Sequence, residues 1–462
     1  MADQTLIRSI NPATEAVLAT FEPTPPAGVE RALDQAVTAG RGWRRSTFTD
    51  RATLMRQAAA YLRRERAHLG ALATAEMGKP VAEAEAEVDK CAWACEYYAD
   101  NAEGFLADQP RSSSARESYV QFIPLGTVLA VMPWNFPFWQ VFRFAAPALM
   151  AGNTGILKHA SNVPQCALAI AEVFSRCGFP PGVFQTLLIA GAAASRLIED
   201  PRIAAVTITG SEQAGSQVAA GAGRAIKKSV LELGGSDPFI VLADADLPAA
   251  VATGLRARFQ NTGQSCIAAK RFIVEAPVFR EFQERFVEGT RALRVGDPMD
   301  RTTQVGPLAR DDLRDTLDRQ VRRSVEQGAE VLAGGHRRAG RGYFYQPTVV
   351  ANVRAEMPVA GEEVFGPVAA LIQARDADEA VALANQSDYG LGAALWTSDL
   401  PRARRLAREL ESGQVFVNGL VASDPRLPFG GVKRSGYGRE LSDYGIREFV
   451  NIQTVWIGPA QA

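Results

Sequence analysis

Cysteine and histidine are scarce in this sequence. Its 462 residues include three histidines and five cysteines. The histidines, His68, His159 and His336, form no His-x-x-x-His pair, and Cys-x-x-Cys is also missing, which excludes a zinc site of the usual spacing. An odd number of cysteines in a long chain argues against a disulfide framework and indicates a reducing compartment, so we expect a cytoplasmic protein. Covalent or acid–base chemistry must therefore use a cysteine or a carboxylate.

An excess of charge of either sign is missing too. Fifty Lys and Arg oppose 51 Asp and Glu, for a formal net charge of −1, so no basic excess favours nucleic acid or an anionic membrane. Residues 122–142 carry no charge, but Pro124, Pro133 and Pro137 would break a spanning helix there. The N-terminus shows no apolar signal segment. We expect a soluble protein without nucleic-acid or membrane partners.

The pattern of elements predicts an α/β protein. Residues 27–108 predict helices, one of them behind a Thr49/Asp50 cap. Later, short β-branched segments alternate with helical patterns, which predicts doubly wound parallel sheets. Strand-like segments of a first unit are Thr127–Met132, Thr154–Lys158 and Ala204–Thr209. Those of a second unit are Pro238–Leu242, Arg271–Val274, Gly366–Leu371, Ala393–Trp396 and Val415–Asn418.

Two other alternating segments, Arg111–Ile123 and Glu448–Ile457, have no obvious place in either sheet. Exposed strands of this kind commonly serve association between subunits. We therefore expect a homodimer or homotetramer. The length fits two to four domains, and the two α/β units join near Gly234–Gly235.

Cys266 is the cysteine best placed for chemistry. It ends Asn261-Thr-Gly-Gln-Ser-Cys266, a polar loop between a helix and a strand that can present a thiol to a cleft. The alternative is a buried structural thiol, an interpretation that suits the other four cysteines and is the commoner one for a lone cysteine.

Four further positions follow strand-like segments. Glu232 lies between leucines before Gly234-Gly235, where desolvation would raise its pKa and suit a general base, although a strand-edge glutamate facing solvent is the alternative. The Asn135 amide could donate to an oxyanion. Lys158 ends another strand, and Gly210-Ser211 opens a helix that can receive a pyrophosphate. Together these strand ends predict a cofactor cleft.

At these residues the chain resembles the aldehyde dehydrogenase superfamily over nearly its whole length, and it is most similar to the compact bacterial succinate-semialdehyde dehydrogenases. Seven motifs occur in the order of the family: Pro133-Trp-Asn-Phe-Pro137, Lys158, Thr209-Gly-Ser211, Leu231-Glu-Leu-Gly-Gly235, Gly263-Gln-Ser-Cys266, Glu363-Val-Phe-Gly-Pro367 and Pro428-Phe-Gly-Gly-Val-Lys433.

The resemblance implies two doubly wound α/β domains plus a small β oligomerisation arm. Residues 1–110 and 125–236 would form the dinucleotide-binding domain and 237–445 the catalytic domain. Residues 111–124 and 446–462 would form the arm.

The resemblance also implies three catalytic roles and no metal. The Cys266 thiolate would attack the aldehyde, and the Asn135 side chain and the Cys266 backbone N–H would hold the oxyanion of the thiohemiacetal. Hydride transfer would leave a thioester. Glu232 would activate the water that hydrolyses this thioester.

Cofactor positions carry over as well. They are Trp134, Lys158, Ser161, Gly210, Ser211, Leu233, Glu363 and Phe365. NAD-using relatives commonly carry Glu where Ser161 stands, and a carboxylate there would repel a 2′-phosphate. We therefore expect NADP as the preferred cofactor, with NAD possible.

Arg143 matches the arginine that succinate-semialdehyde dehydrogenases direct at the distal carboxylate of their substrate, and its planar guanidinium suits a carboxylate. Ser423 and Phe429 match other substrate contacts, whereas Gln260 stands where many relatives place a second arginine. Two alternatives stay open: a broad-specificity aldehyde dehydrogenase, and a cysteine hydrolase, for which no histidine lies near Cys266 in sequence.

Overall fold

The computed structural model describes residues 6–458. Its α-helices in chain order are α1 (Pro26–Trp43), α2 (Phe48–Arg64), α3 (Arg66–Met77), α4 (Val81–Phe105), α5 (Trp139–Met150), α6 (Pro164–Arg176), α7 (Gly191–Glu199), α8 (Glu212–Arg224), α9 (Leu247–Phe259), α10 (Ala276–Arg291), α11 (Asp311–Glu326), α12 (Pro358–Gly361), α13 (Ala377–Asn385), α14 (Leu400–Leu406) and α15 (Ser442–Arg447).

The strands in the same part of the chain are β1 (Ile7–Ile10), β2 (Val17–Phe21), β3 (Gln109–Pro110), β4 (Glu117–Pro124), β5 (Thr127–Met132), β6 (Thr154–His159), β7 (Phe184–Thr186), β8 (Ile203–Thr209), β9 (Lys228–Glu232), β10 (Asp237–Val241), β11 (Ala269–Glu275), β12 (Glu330–Ala333), β13 (Thr348–Ala351), β14 (Val368–Ala374), β15 (Tyr389–Gly390), β16 (Gly392–Trp396), β17 (Gln414–Val417), β18 (Val432–Lys433), β19 (Gly436–Tyr437) and β20 (Val450–Ile457).

Two sheets carry the α/β units. The first has the order β19-β9-β8-β5-β6-β7 and is parallel except for β19. The second has the order β12-β13-β14-β11-β10-β16-β17 and is parallel except for the β12–β13 pair. The expected α/β architecture is confirmed, and the strands begin and end within two or three residues of the predicted positions. The chain passes from one sheet to the other between Glu232 and Asp237.

The two segments without a predicted place pair with each other. Strands β4 and β20 run antiparallel from the Glu117–Ile457 pair to the Pro124–Val450 pair, and β3 completes a third sheet. Strand β20 leaves Ile452 and Trp456 more than half exposed. This sheet matches the shape expected of an arm, whereas its use in association and the domain division stay predictions.

Helix α4 is the longest element and leads to the site. Its Ala84, Val88, Cys91 and Cys95 are fully buried, because apolar residues recur every three to four positions along one face. The helix packs against α2, α3 and α5. Its neighbouring face carries Glu83, Glu87 and Lys90 toward a cavity described below. No helix within residues 6–458 is long and apolar enough to cross a membrane.

The predicted cap of α2 is wrong by two residues. The helix begins after Thr47, whose Oγ1 accepts from the Asp50 backbone N–H at 3.1 Å. The Asp50 carboxylate in turn accepts from the Thr47 backbone N–H at 3.1 Å. This reciprocal capping box satisfies two N–H groups that a cap at Thr49 or Asp50 would leave unpaired.

We expect Thr47→Ala to lower the free energy of unfolding by about 1 kcal/mol, because the N-cap hydroxyl is lost. Urea unfolding followed by circular dichroism measures the change. Thr49→Ala lies two residues further along the chain and outside the capping box, so it is the matched control. It should lower the free energy of unfolding by less than Thr47→Ala does. Equal losses in the two variants would contradict the assignment of the cap to Thr47.

Candidate active site

The sequence-predicted residues of the first sheet meet at one edge. Strands β9, β8, β5 and β6 are neighbours in that sheet. Glu232 ends β9, Gly210-Ser211 follows β8, Asn135 follows β5, and Lys158 lies at the end of β6. Because the carboxyl ends of parallel strands share one edge, these four positions lie side by side, which is where open α/β sheets bind ligands.

The loop that carries Cys266 is held by an unusual backbone. Asn261 and Thr262 both have φ of +56°, in the left-handed region, a conformation that costs energy in residues other than glycine. Asn261 Nδ2 donates to the carbonyl oxygens of Asn135 and Gln264, both at 2.9 Å. These bonds join the loop before Cys266 to the loop after β5.

Two N–H groups near Cys266 are available to a ligand. Asn135 Nδ2 donates to the Gln264 carbonyl at 3.1 Å, and an amide nitrogen has a second hydrogen to donate. Within residues 6–458 the Cys266 backbone N–H has no acceptor. The Asn135 side chain and the Cys266 backbone thus each retain one N–H for a ligand, and two such donors can hold an oxyanion.

Burial controls the state of the Cys266 thiol. It raises the pKa of this thiol to about 12, although the nearby Arg143 and Lys270 charges oppose the shift. Lys270 Nζ donates to the carbonyl oxygens of Cys266 at 2.7 Å and Ser265 at 2.9 Å, so it also fixes the loop. The free enzyme therefore holds a thiol, and a proton must leave before Cys266 can attack a carbon.

Glu232 is buried without a partner. The residue is 2% exposed, and neither carboxylate oxygen finds a hydrogen-bond partner in the described part of the chain. Burial raises the pKa of Glu232 well above its ordinary value; the Arg143 charge opposes this shift and the Glu440 charge adds to it. The alternative of a solvent-facing strand-edge glutamate is wrong. A carboxylate of this kind accepts a proton readily.

The paired glycines after Glu232 allow two close approaches. A Cβ on Gly235 would lie 2.7 Å from the Cys266 carbonyl oxygen, and one on Gly234 would lie 2.6 Å from Glu363 Oε2. The Gly235 N–H donates to Glu363 Oε1 at 3.0 Å. Side chains at these two positions would push the Cys266 loop and Glu363 away from β9.

Several predicted cofactor residues gather at the same sheet edge. Trp134 and Phe365 pack edge to face with centroids 5.7 Å apart. Ser211 caps α8 through its Oγ, and Gly215 on this helix lies against Leu233. A Cβ on Gly210 would meet nothing closer than 3.8 Å, so the approach to the N-terminus of α8 is open.

Lys158 and Ser161 lie at the end of β6 and just beyond it. Burial lowers the pKa of Lys158, and within residues 6–458 its ammonium forms no ion pair (none of the described carboxylates lies within 4.0 Å). Ser161 is exposed. Such a lysine and hydroxyl fit a phosphate group, since they supply positive charge and a donor. No described cluster of three His, Cys, Asp or Glu side chains fits a metal ion.

A cavity of about 840 Å³ opens at Cys266, and Arg143, Ser423 and Phe429 line it. Arg143 is 1% exposed, forms an ion pair with Glu440, and lies 4.4 Å over the Phe429 ring. The arginine thus already has a carboxylate partner, and its role in substrate binding stays a prediction.

Sequence reasoning missed three charged residues here. Glu440 pairs with Arg143, Lys270 holds the Cys266 loop, and Lys90 lines the cavity. Lys270 has a weak signal, because a lysine at the start of a buried strand must find partners. Glu440 and Lys90 meet their partners only through long-range folding, so no local pattern indicates them.

Comparison with known proteins agrees with this geometry. The model of the aldehyde dehydrogenase family matches residues 1–455. A succinate-semialdehyde dehydrogenase (NADP+) of Mycobacterium avium is 53% identical over 460 residues, covering 99% of this chain and 98% of the relative. One of Mycobacterium tuberculosis is 52% identical over 454 residues, covering 98% and 99%.

A solved structure leads to the same family. The succinic semialdehyde dehydrogenase of Streptococcus pyogenes, in complex with NADP+ as the cofactor, superposes with a TM-score of 0.96 at 37% identity, covering 98% of this chain and 100% of that one. The resemblance found from the motifs is confirmed. This chain belongs to the aldehyde dehydrogenase family.

Proposed function

We propose that this enzyme oxidises succinate semialdehyde to succinate with NADP+. The observation that carries the proposal is a partly exposed Cys266 at the cavity. The buried, unpartnered carboxylate of Glu232 lies close enough for its charge to raise the pKa of Cys266. Relatives that bear this name match nearly the whole chain at 52–53% identity. The substrate of this chain is inferred from them and from the positive charges of the cavity.

In the proposed mechanism the Cys266 thiol releases its proton to water in the cavity, and its sulfur bonds to the aldehyde carbon. The free N–H groups of Asn135 and Cys266 stabilise the resulting oxyanion. When bound, the nicotinamide cofactor would supply the acceptor for the hydride of this carbon, and Cys266 would then carry the acyl group as a thioester. Glu232 takes a proton from water, the water oxygen bonds to the acyl carbon, and the Cys266 sulfur departs as the acid is released.

The residues at β6 and α8 support the choice of NADP+. Lys158 lacks a carboxylate partner among the described residues, and the Ser161 hydroxyl beyond it is exposed. Lys158 would bind the 2′-phosphate as a charge and Ser161 as a donor. The open N-terminus of α8 after Gly210 would receive the pyrophosphate, and Glu363 would bind the nicotinamide ribose beside Phe365.

We also infer a cytoplasmic homo-oligomer. Five free cysteines, four of them buried, fit a reducing compartment. Exposed apolar residues on the three-stranded sheet, such as Ile452 and Trp456, support subunit association there.

Glu232→Gln should lower kcat by about 10² or more, because general-base activation of water is lost. The acylation step should persist, so rapid mixing should give a burst of reduced cofactor and mass spectrometry should detect an acylated enzyme. Wild-type kcat should rise with pH through the raised pKa of Glu232, and the variant should lose this rise. Cys266→Ala is the control without burst or adduct, and rapid turnover by Glu232→Gln would contradict the role.

Ser161→Glu should raise the KM for NADP+ about tenfold or more, because a carboxylate near the 2′-phosphate repels it. The KM for NAD+ should stay or fall. Steady-state kinetics with each cofactor measures both constants. Ser161→Ala removes the hydroxyl without adding charge, so it separates the loss of the hydrogen-bond donor from the charge repulsion. An unchanged cofactor preference in Ser161→Glu would count against this site.

The substrate is tested with succinate semialdehyde, its neutral methyl ester and pentanal, each with NADP+ and NAD+. The proposed function predicts kcat/KM at least about tenfold higher for the anion, since charge-assisted contacts contribute 1.5–3 kcal/mol or about tenfold or more in affinity. Equal or higher values for the neutral aldehydes would support the broad-specificity alternative. Ester hydrolysis without cofactor reduction would support a cysteine hydrolase.

A further inference from the structure

Lys90 of α4 is a cavity residue with no assigned role. It lines the same cavity as Cys266 and Arg143. Its Nζ donates to Ser423 Oγ at 2.7 Å and lies 4.4 Å from the centroid of the Trp139 ring. No described carboxylate lies within 4.0 Å of this ammonium.

Three other buried cations near Cys266 already have partners. Arg143 pairs with Glu440, Lys79 pairs with Glu87, and Lys270 donates to backbone carbonyls of the Cys266 loop. A partly buried ammonium without an anion is unfavourable by comparison. Lys90 would therefore gain most from an anion that enters the cavity.

The charges around Lys90 agree with this. Burial and, to a smaller extent, the charge of Arg143 on α5 lower its pKa to about 8. Opposing contributions come from Asp424, after Ser423, and from Glu87 and Cys91 on its own helix. The net effect weakens the hold of Lys90 on its proton relative to a free lysine, and a bound carboxylate would strengthen it.

Ser423 shows where such an anion would sit. Its Oγ accepts from Lys90 Nζ and also from Trp139 Nε1 at 3.0 Å. A hydroxyl oxygen has two acceptor positions and one hydrogen to donate. Both acceptor positions are filled, and within residues 6–458 the Ser423 hydroxyl has no acceptor of its own. Lys90 and Trp139 thus orient Ser423 as a donor.

We infer that Lys90 determines specificity for an anionic aldehyde: its ammonium and the Ser423 hydroxyl that it orients bind the distal carboxylate of the substrate. The inference rests on the proposed oxidation of succinate semialdehyde. It assigns the carboxylate to the cation without a counter-ion, whereas Arg143 remains the partner of Glu440.

The first test uses the wild-type enzyme. The ratio of kcat/KM for succinate semialdehyde to kcat/KM for its methyl ester cancels the titration of Cys266 and Glu232, which both substrates share. Lys90 binds an anion only when protonated, so this ratio should fall as pH rises through about 8, in addition to any change near pH 7, where Glu83 of the same cavity titrates. A ratio that stays flat to pH 10, roughly two units higher, overturns the inference.

The second test uses Lys90→Met, which keeps the aliphatic stem against Trp139. The same ratio should fall about tenfold or more, mainly through KM for succinate semialdehyde, and lose its fall near pH 8. Lys90→Arg should retain most of the ratio. Arg256→Met removes a charge from the exposed rim of this cavity and should change the ratio about twofold or less.

These outcomes separate the inference from the proposed function. A wild-type enzyme that prefers succinate semialdehyde, with a ratio unchanged in Lys90→Met, overturns the role of Lys90 alone. A wild-type enzyme without that preference overturns both. Should Lys90→Met fail to fold, Ser423→Ala takes its place in the test. This variant removes the oriented hydroxyl and should lower the ratio as well. An unchanged ratio in Ser423→Ala overturns the inference.

Discussion

The close approach of Gly235 to the Cys266 loop is the constraint on which the site depends. At this point the chain leaves β9 of the first sheet and enters β10 of the second. The Cys266 carbonyl lies 2.7 Å from the position that a Cβ of Gly235 would occupy. Because no side chain intervenes, the loop that carries the thiol packs against the strand end that carries the Glu232 carboxylate, and Glu363 Oε1 accepts from the Gly235 N–H.

Desolvation is the common electrostatic consequence of this approach. Burial is the largest cause of the raised pKa values of Cys266, Glu232 and Glu363. Lys270 and Arg143 oppose it, and Lys270 does so while holding the Cys266 backbone in place. Burial thus shifts both reactive groups toward their protonated forms, and a reaction step or a ligand that compensates for the lost hydration favours the charged form.

Much of the fold and the centre of the site could be predicted from the sequence, because both follow from local patterns. Alternating strands and helices predict parallel sheets, and Asn135, Lys158 and Glu232 follow from the rule that ligands bind at strand ends. The pairing of β4 with β20 and the ion pair of Arg143 with Glu440 could not be predicted from the sequence, since each joins segments some 300 residues apart in the chain. The left-handed Asn261 depends on partners beyond its own loop.

The charges of the cavity also differ from the charge of the whole chain. The formal net charge is −1, but the two carboxylates that line the cavity already bind groups of the protein itself. Glu87 pairs with Lys79 and accepts from the Trp139 N–H at the start of α5. Glu83 accepts from the Asn261 N–H, and burial raises its pKa to about 7, so it carries only part of its charge near neutrality. Lys90 has no such partner, and the local field therefore favours an anionic ligand.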